Sequence, residues 1–438
     1  MSGNGEVSVY DRMCWPEAEL ERALAGGAHR RELAAYLGGD EYSTLVALAR
    51  QGRAVRHRRS AARSRLKIYL LPGILGSQLG RPRPAGQPPD LLWIDPTDIV
   101  NGRLAELRLP RAIRGKAPLQ PLGAIVYSYL ALKLRLAAAG FEVALYDYDW
   151  RGDVVAAGRA LADRLAADQA AELALIGHSM GALLARAALA HYGNGAGAER
   201  ITRVIGIGAP HGGSIAAVQA LRATYPMVGR IAAIDRVHDA ETLTRLAFRG
   251  FMSLYQLLPA ARAPLDLFDP GCWPRTGARP DPALLRAARG FAGRLAAPDQ
   301  RFFSIVGTGQ RTVTGIERRG QQFRYRVSSA GDGTVASSCA TLPGVRNYSL
   351  RCEHSELPRS QSVAAALIDM LQRARTRRLR KGVIARHGRS SYVTDAALRR
   401  ELGRKIDWYS MSIGEHRQYL NRLNQPPAVY RLRSPSRR

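Results

Sequence analysis

Cysteine is scarce in this chain. Its 438 residues include four, Cys14, Cys272, Cys339 and Cys352, with no CxxC pair or other metal-ligand spacing among them. That pattern excludes a disulfide-stapled scaffold and points to no metal site and no cofactor held by thiolates. Cys339 and Cys352 could meet across a hairpin, but free thiols in a reducing compartment are the expectation. Long apolar runs are missing too: none reaches the roughly 20 residues of a membrane-spanning helix. Residues 1–10 lack both a basic flank and an apolar core, so no secretory signal is read and a cytoplasmic protein is expected. Acidic residues are outnumbered, 36 Asp+Glu against 65 Lys+Arg, for a formal charge of +29. Such a balance favours anionic surfaces in a salt-dependent way, with peripheral contact to phospholipid headgroups as the first candidate and nucleic acid as the lesser one. Apolar residues are not short: at 46% they support a full core, and the length allows more than one domain.

Residues 1–50 read as a small helical unit. Leu20 and Leu24 share a face of a run broken at Gly26-Gly27, Leu33 and Leu37 a second run ending at Gly38-Gly39, and Leu45 and Leu48 a third. A helical cap packed on the main domain and a separate adaptor module both fit that pattern. Residues 51–65, which include Arg53, Arg56, Arg58, Arg59, Arg63 and Arg65, are expected to form a solvated basic linker. At the other end, residues 382–438 are expected to be a basic tail, with Tyr392, Trp408, Tyr409, Tyr419 and Tyr430 interspersed among arginines.

Between these, residues 66–381 alternate strand-like apolar runs with helices. Strands are predicted at 67–71, 141–148, 201–208, 302–307 and 345–350, with a further one running into Gly177; helices are predicted at 125–139, 152–168, 182–191 and 360–379. The alternation predicts a mostly parallel sheet covered on both faces. Residues 81–120 are irregular and proline-punctuated, and carry Trp93; they either shape a pocket or form a plain insertion. From about 215 to 300 the alternation lapses into apolar helical stretches placed between two core strands. A cap or lid forming a trough for an acyl chain belongs there, and so does a simple cover for the sheet.

The chemistry concentrates at strand ends. The run Leu173-Ala174-Leu175-Ile176 feeds into Gly177-His178-Ser179-Met180-Gly181 and then a small-residue helix, the strand–turn–helix setting of a nucleophile elbow. The glycines relieve a turn too tight for side chains, and the serine hydroxyl is pushed out beyond the strand. A serine hydroxyl needs a base to take its proton, and the base needs a third group to orient it. Asp332, in Gly331-Asp332-Gly333-Thr334-Val335, and His354, after the last core strand, follow Ser179 in the expected order. His211 lies upstream of Asp332, against that order, and His178 points away from its own serine in such turns. The glycine-rich turn Pro72-Gly73-Ile74-Leu75-Gly76-Ser77 after the first strand suits a second oxyanion donor, although it would serve equally as a structural turn.

Taken with Gln78-Leu79, Tyr148-Asp149-Trp150-Arg151 and Pro210-His211-Gly212-Gly213-Ser214, these segments resemble the lecithin:cholesterol acyltransferase (LCAT)-like branch of the α/β-hydrolases, which includes a lysosomal phospholipase A2. The resemblance spans about residues 66–365. It implies an α/β-hydrolase fold with a lid and extra terminal segments, Ser179 as nucleophile, Asp332 as acid and His354 as base. It also implies an oxyanion hole from the backbone N–H groups of Ile74 and Met180. Leu75, Trp93, Trp150 and His211 are the pocket candidates. The implied reaction is acyl transfer from a lipid ester to water or an alcohol, without metal or cofactor. A non-lipid esterase, thioesterase or amidase would use the same machinery, and a regulated core whose basic termini bind a polyanion or protein is the reading from another class. His211 stands where the animal enzymes usually have tryptophan, and the terminal segments have no counterpart in the family.

Overall fold

The computed structural model describes residues 14–58, 66–109, 117–193, 197–259, 265–383 and 390–430. Its centre is a seven-stranded sheet. In chain order the strands are β1 (Leu66–Leu71), β5 (Glu142–Leu145), β6 (Glu172–His178), β7 (Ile201–Ile207), β8 (Phe302–Thr308), β11 (Arg346–Arg351) and β12 (Arg380–Lys381). Their spatial order is β12-β11-β8-β7-β6-β1-β5. Every pairing is parallel except that of β11 with β12. The β1 register sets Leu71 beside Gly177, so the first strand and the serine strand end level with each other.

Alternation along each strand feeds two apolar layers. Ile68, Leu70, Ile176, Ile205 and Ile305 pack on one face with helices α4 (Val126–Ala138) and α11 (Gln361–Arg373). Tyr69, Leu71 and Leu175 pack on the other with α5 (Val154–Ala166) and α6 (Met180–Tyr192). The predicted doubly covered parallel sheet is therefore present. A smaller antiparallel sheet of β2 (Ser77–Arg81), β3 (Asp90–Trp93) and β4 (Gln120–Ala124) fills the irregular early stretch. The interval between β7 and β8 is helical as expected, with α7 (Ile215–Leu221), α8 (Pro226–Ile234), α9 (Ala240–Leu246) and α10 (Met252–Gln256).

The three N-terminal helices, α1 (Glu17–Gly26), α2 (Arg30–Leu37) and α3 (Gly39–Arg58), follow the leucine spacing. Leu20, Leu24, Leu33, Leu37 and Leu45 close over Leu130 and Leu134 of α4 in one cluster, so the unit sits on the sheet-bearing domain. Residues 51–58, expected to begin a linker, instead continue α3. Gly52 faces α4 there, and a Cβ on it would meet Ala137 at an ordinary 3.7 Å. Arg59, Arg63 and Arg65 lie outside the described residues.

The C-terminal segment is folded where composition suggested a tail. A hairpin of β9 (Thr312–Arg319) and β10 (Gln322–Ser328) takes β13 (Ser391–Thr394) as a third antiparallel strand. Helices α12 (Asp395–Leu402) and α13 (Ile413–Asn421) follow. Asp395 makes the attachment: its buried carboxylate accepts from Arg222 Nη2 at 2.9 Å, from the Tyr325 hydroxyl at 2.7 Å and from the Phe323 amide at 3.2 Å. Trp408, Leu423 and Tyr430 join the main core. Among the described residues no helix is long and apolar enough to cross a membrane.

Candidate active site

Ser179 occupies the one-residue step between β6 and α6, at φ 52°, ψ −124°. That region is sterically disfavoured for a residue with a Cβ. The backbone holds it there by a 2.8 Å bond from the Ser179 amide to the Ile207 carbonyl and a 3.1 Å bond from the Ala182 amide to the Ser179 carbonyl. The flanking glycines are a steric necessity. A Cβ on Gly177 would come within 2.3 Å of the Ala182 amide nitrogen, and one on Gly181 within 2.2 Å of the Leu71 carbonyl oxygen. Met180 opens α6, so its N–H lies in the first helical turn, where no i−4 carbonyl exists to receive it.

Asp332 sits in a turn closed by the bridge between Gly331 and Ala336. One carboxylate oxygen accepts from the amides of Thr334 and Val335, at 2.9 and 2.7 Å. The other accepts from Nδ1 of His354 at 2.8 Å. The His354 amide also donates to the Asp332 carbonyl at 2.9 Å, so the two residues are joined by backbone and side chain together. With Nδ1 carrying the proton toward a carboxylate, the neutral imidazole keeps its basic lone pair on Nε2. Ser179 and His354 line the same cavity. Among the described residues no hydrogen bond yet joins the Ser179 hydroxyl to His354; such contacts commonly tighten only when substrate arrives.

The glycine-rich turn abuts the serine, since a Cβ on Gly73 would lie 3.0 Å from Ser179 Cβ. Leu75 takes φ 64°, and the turn is clamped by Gly76 N–H to Gly73 C=O at 3.0 Å. Aromatic donors brace it from outside: Trp93 Nε1 to the Leu75 carbonyl at 2.9 Å, the Tyr148 hydroxyl to the Pro72 carbonyl at 2.9 Å, and Trp150 Nε1 to the Ser77 carbonyl at 3.0 Å. The Ile74 amide is claimed by no acceptor among the described residues, whereas that of Gly73 donates to the Tyr129 hydroxyl at 3.0 Å. Two amides, Ile74 and Met180, are thus presented near Ser179.

The cavity measures about 1170 Å³. Leu75 and Trp93 line it, as the sequence suggested. Trp150 does not: it is fully buried behind Trp93, edge-on to that ring at 5.6 Å, and serves the turn. His211 is also elsewhere. Its ring nitrogens are buried without hydrogen-bond partners among the described residues, beneath β7, where a Cβ on Gly206 would lie 3.3 Å from Nε2. Burial, with Arg186 nearby, pushes its pKa down to about 3. The structure adds residues that sequence reasoning missed. Tyr129 and Tyr225 reach the cavity from helices whose apolar spacing gave no hint of them, and Trp408, Leu420 and Leu423 reach it from the expected tail.

No curated protein matches the chain. Among solved structures, the lipase BlEst2 of Bacillus licheniformis in its mature form aligns at 14% identity over 71% of this chain and 92% of that one, with a TM-score of 0.36. A Tle4–Tli4 complex aligns at 15% identity over 71% and 99%, with a TM-score of 0.44. The metagenomic carboxyl esterase MGS0156 aligns at 13% over 67% and 65%, with a TM-score of 0.31. The family model described as lecithin:cholesterol acyltransferase matches residues 140–264, the stretch from β5 through the serine turn into the helical insertion. The strand order and the serine turn at the level end of β6 and β1 are those of an α/β-hydrolase fold, and residues 140–264 of this chain are similar to the LCAT family.

Proposed function

We propose that this protein is a serine-dependent hydrolase or acyltransferase acting on lipid acyl esters. One observation carries the reading: the strained serine shares a cavity wall with a histidine whose far nitrogen is held by a fully buried aspartate. The LCAT match supports the ester chemistry. In this reading Ser179 Oγ attacks the ester carbonyl and its proton passes to His354 Nε2. The amides of Ile74 and Met180 hold the resulting oxyanion, a term that typically accounts for about 10²–10³ in rate per donor. Collapse breaks the bond to the alkoxy group, which leaves with the proton from His354. Water or an alcohol then repeats the sequence on the acyl-enzyme. Asp332 stays ionised and keeps the imidazole in the required tautomer.

Ester substrates in a lipid surface would meet the protein near the cavity rim. Tyr409 is exposed there, with the Arg236 guanidinium 5.9 Å over its ring, and Val237 and Ile406 are further exposed apolar side chains. Together with the +29 charge, this favours an anionic surface. Fluorophosphonate labelling read by mass spectrometry, with hydrolysis of nitrophenyl esters and phospholipid vesicles, tests the proposal. Label on Ser179 and loss of turnover in Ser179→Ala are expected; turnover that survives the substitution refutes it.

A further inference from the structure

The cavity wall is not built by the α/β core alone. Helix α2 contributes Ala35 and Tyr36, and the segment from Trp408 to Asn424 contributes most of the opposite side. The two terminal segments meet directly, through Arg417 Nη1 donating to the Ala35 carbonyl at 3.1 Å. The second is also tied toward the acid: the Tyr225 hydroxyl lies 3.4 Å from Asn424 Oδ1 and 3.5 Å from Thr334 Oγ1, and the Thr334 amide donates to Asp332. Glu32 of α2 lines this wall, while other charged groups in or beside it are drawn aside. Glu356 turns to Arg359, Arg417 to Ala35, and Glu415 back onto the Ser412 amide of its own capping box. His416 stacks flat on Trp408 at 3.8 Å and points Nε2 at the Trp408 carbonyl. The apolar part of the wall is Trp408, Leu420 and Leu423, together with Met227 from α8, with Asn421 and Asn424 beside them.

We infer that this C-terminal segment, closed by α2, is the acyl-chain-binding wall of the site in this chain and sets the length of acyl chain it accepts. The inference rests on the function proposed above. A cavity of 1170 Å³ exceeds the usual span for small ligands, about 300–1,000 Å³, and leaves room for an extended chain beside the reacting ester. Each methylene moved from water onto such a wall is worth about a factor of four in affinity. A wall built from side chains also sets a length limit, and Leu420, half-buried on α13, lies where the limit is adjustable.

The test compares nitrophenyl acetate with nitrophenyl laurate for the full-length protein, Leu420→Trp, Leu423→Trp and Leu420→Ala, with a fluorescent twelve-carbon fatty acid as a turnover-independent probe. The laurate-to-acetate ratio of kcat/KM is expected to fall at least tenfold in Leu420→Trp and Leu423→Trp and to rise in Leu420→Ala, with fatty-acid affinity moving the same way. Opposite signs at one position separate a chain-length role from general damage to the fold. A ratio and an affinity that stay constant across folded variants overturn the inference, as does a wild-type protein that binds no fatty acid. Failure of the parent proposal has its own signature: Ser179 unlabelled by fluorophosphonate and no ester turned over, whatever the fatty-acid binding shows.

Discussion

His178 Nε2 donates to the backbone carbonyl of His354 across 3.1 Å, linking the residue before the serine to the residue that faces it. On its other side, Nδ1 accepts from the Tyr129 hydroxyl at 2.9 Å, and that hydroxyl accepts from the Gly73 amide at 3.0 Å. Only one proton arrangement satisfies all three bonds, with Nε2–H on His178 and the phenolic proton directed at Nδ1. Burial, and then the neighbouring His354 ring, hold the His178 pKa well below the usual imidazole range, so the chain stays neutral and fixed. Glycine turn, serine strand and histidine loop are thereby locked to one another.

In the proposed reaction His178 is a positioning residue. His178→Ala frees the His354 backbone and the Tyr129 hydroxyl, and a shift near 1 Å at reacting groups costs on the order of a hundredfold. The expected result is a fall in kcat of roughly tenfold to a hundredfold with a smaller change in KM. Tyr129→Phe leaves the buried Gly73 amide unpartnered, at about 1–3 kcal/mol of stability. Steady-state kinetics with urea unfolding separates the two effects. An unchanged kcat in His178→Ala would remove the positioning role.

Acid should weaken the fold through the buried imidazoles. An unfolded histidine titrates near 6.5, while His211 is held at about 3 in the folded chain by burial and then by Arg186. Above pH 6.5 neither state takes a proton here, and this source adds no pH dependence. Between pH 6.5 and about 3 the unfolded chain binds a proton that the folded one refuses, so stability falls by up to about 1.4 kcal/mol per pH unit. Urea midpoints at pH 7, 5 and 4 should show a shallower acid slope in His211→Asn than in the parent. Equal slopes would contradict it.

Much of this arrangement was legible because steric necessity leaves marks in sequence. The serine turn demands glycines at 177 and 181, and the strand before Ser179 is an apolar run with a sharp end. Strand and helix positions in the sheet came through for the same reason. Direction was not legible. Trp150 looked like a pocket residue, yet its indole N–H is needed by the Ser77 carbonyl, and nothing in the chain order says which way the ring turns. The C-terminal segment was concealed by composition. Among so many arginines, one Asp395 pairs with a distant Arg222 where the segment joins the core, and that contact spans 173 positions.

Gly181 allows a sharper test than Ser179 of how the turn is built. Its missing Cβ would overlap the carbonyl oxygens of Leu71 and Pro72, at 2.2 and 2.6 Å, and both belong to backbone that cannot yield without moving β1 and the glycine-rich turn. Gly181→Ala is expected to destabilise by about 4 kcal/mol or more, at the exceptional end for single substitutions. Thermal melts should show a drop of many degrees or no soluble protein. A variant that melts with the parent would mean the turn relaxes freely.

The attachment of the C-terminal segment depends on a charge pair with both side chains fully buried, Arg222 and Asp395. Removing one partner strands the other: Asp395→Ala leaves the guanidinium uncompensated and takes an acceptor from Tyr325 and from the Phe323 amide. Losses of about 3–5 kcal/mol are typical when a buried pair is broken this way. Because β13 ends just before this residue and α12 begins at it, the loss should be local first. Hydrogen exchange is expected to rise across 391–430 before it rises in β6 or β1. The cavity would lose its wall at the same time, so long-chain ester turnover should fall more than short-chain turnover. Uniform exchange across the whole chain would instead show that the segment and the sheet unfold as one unit.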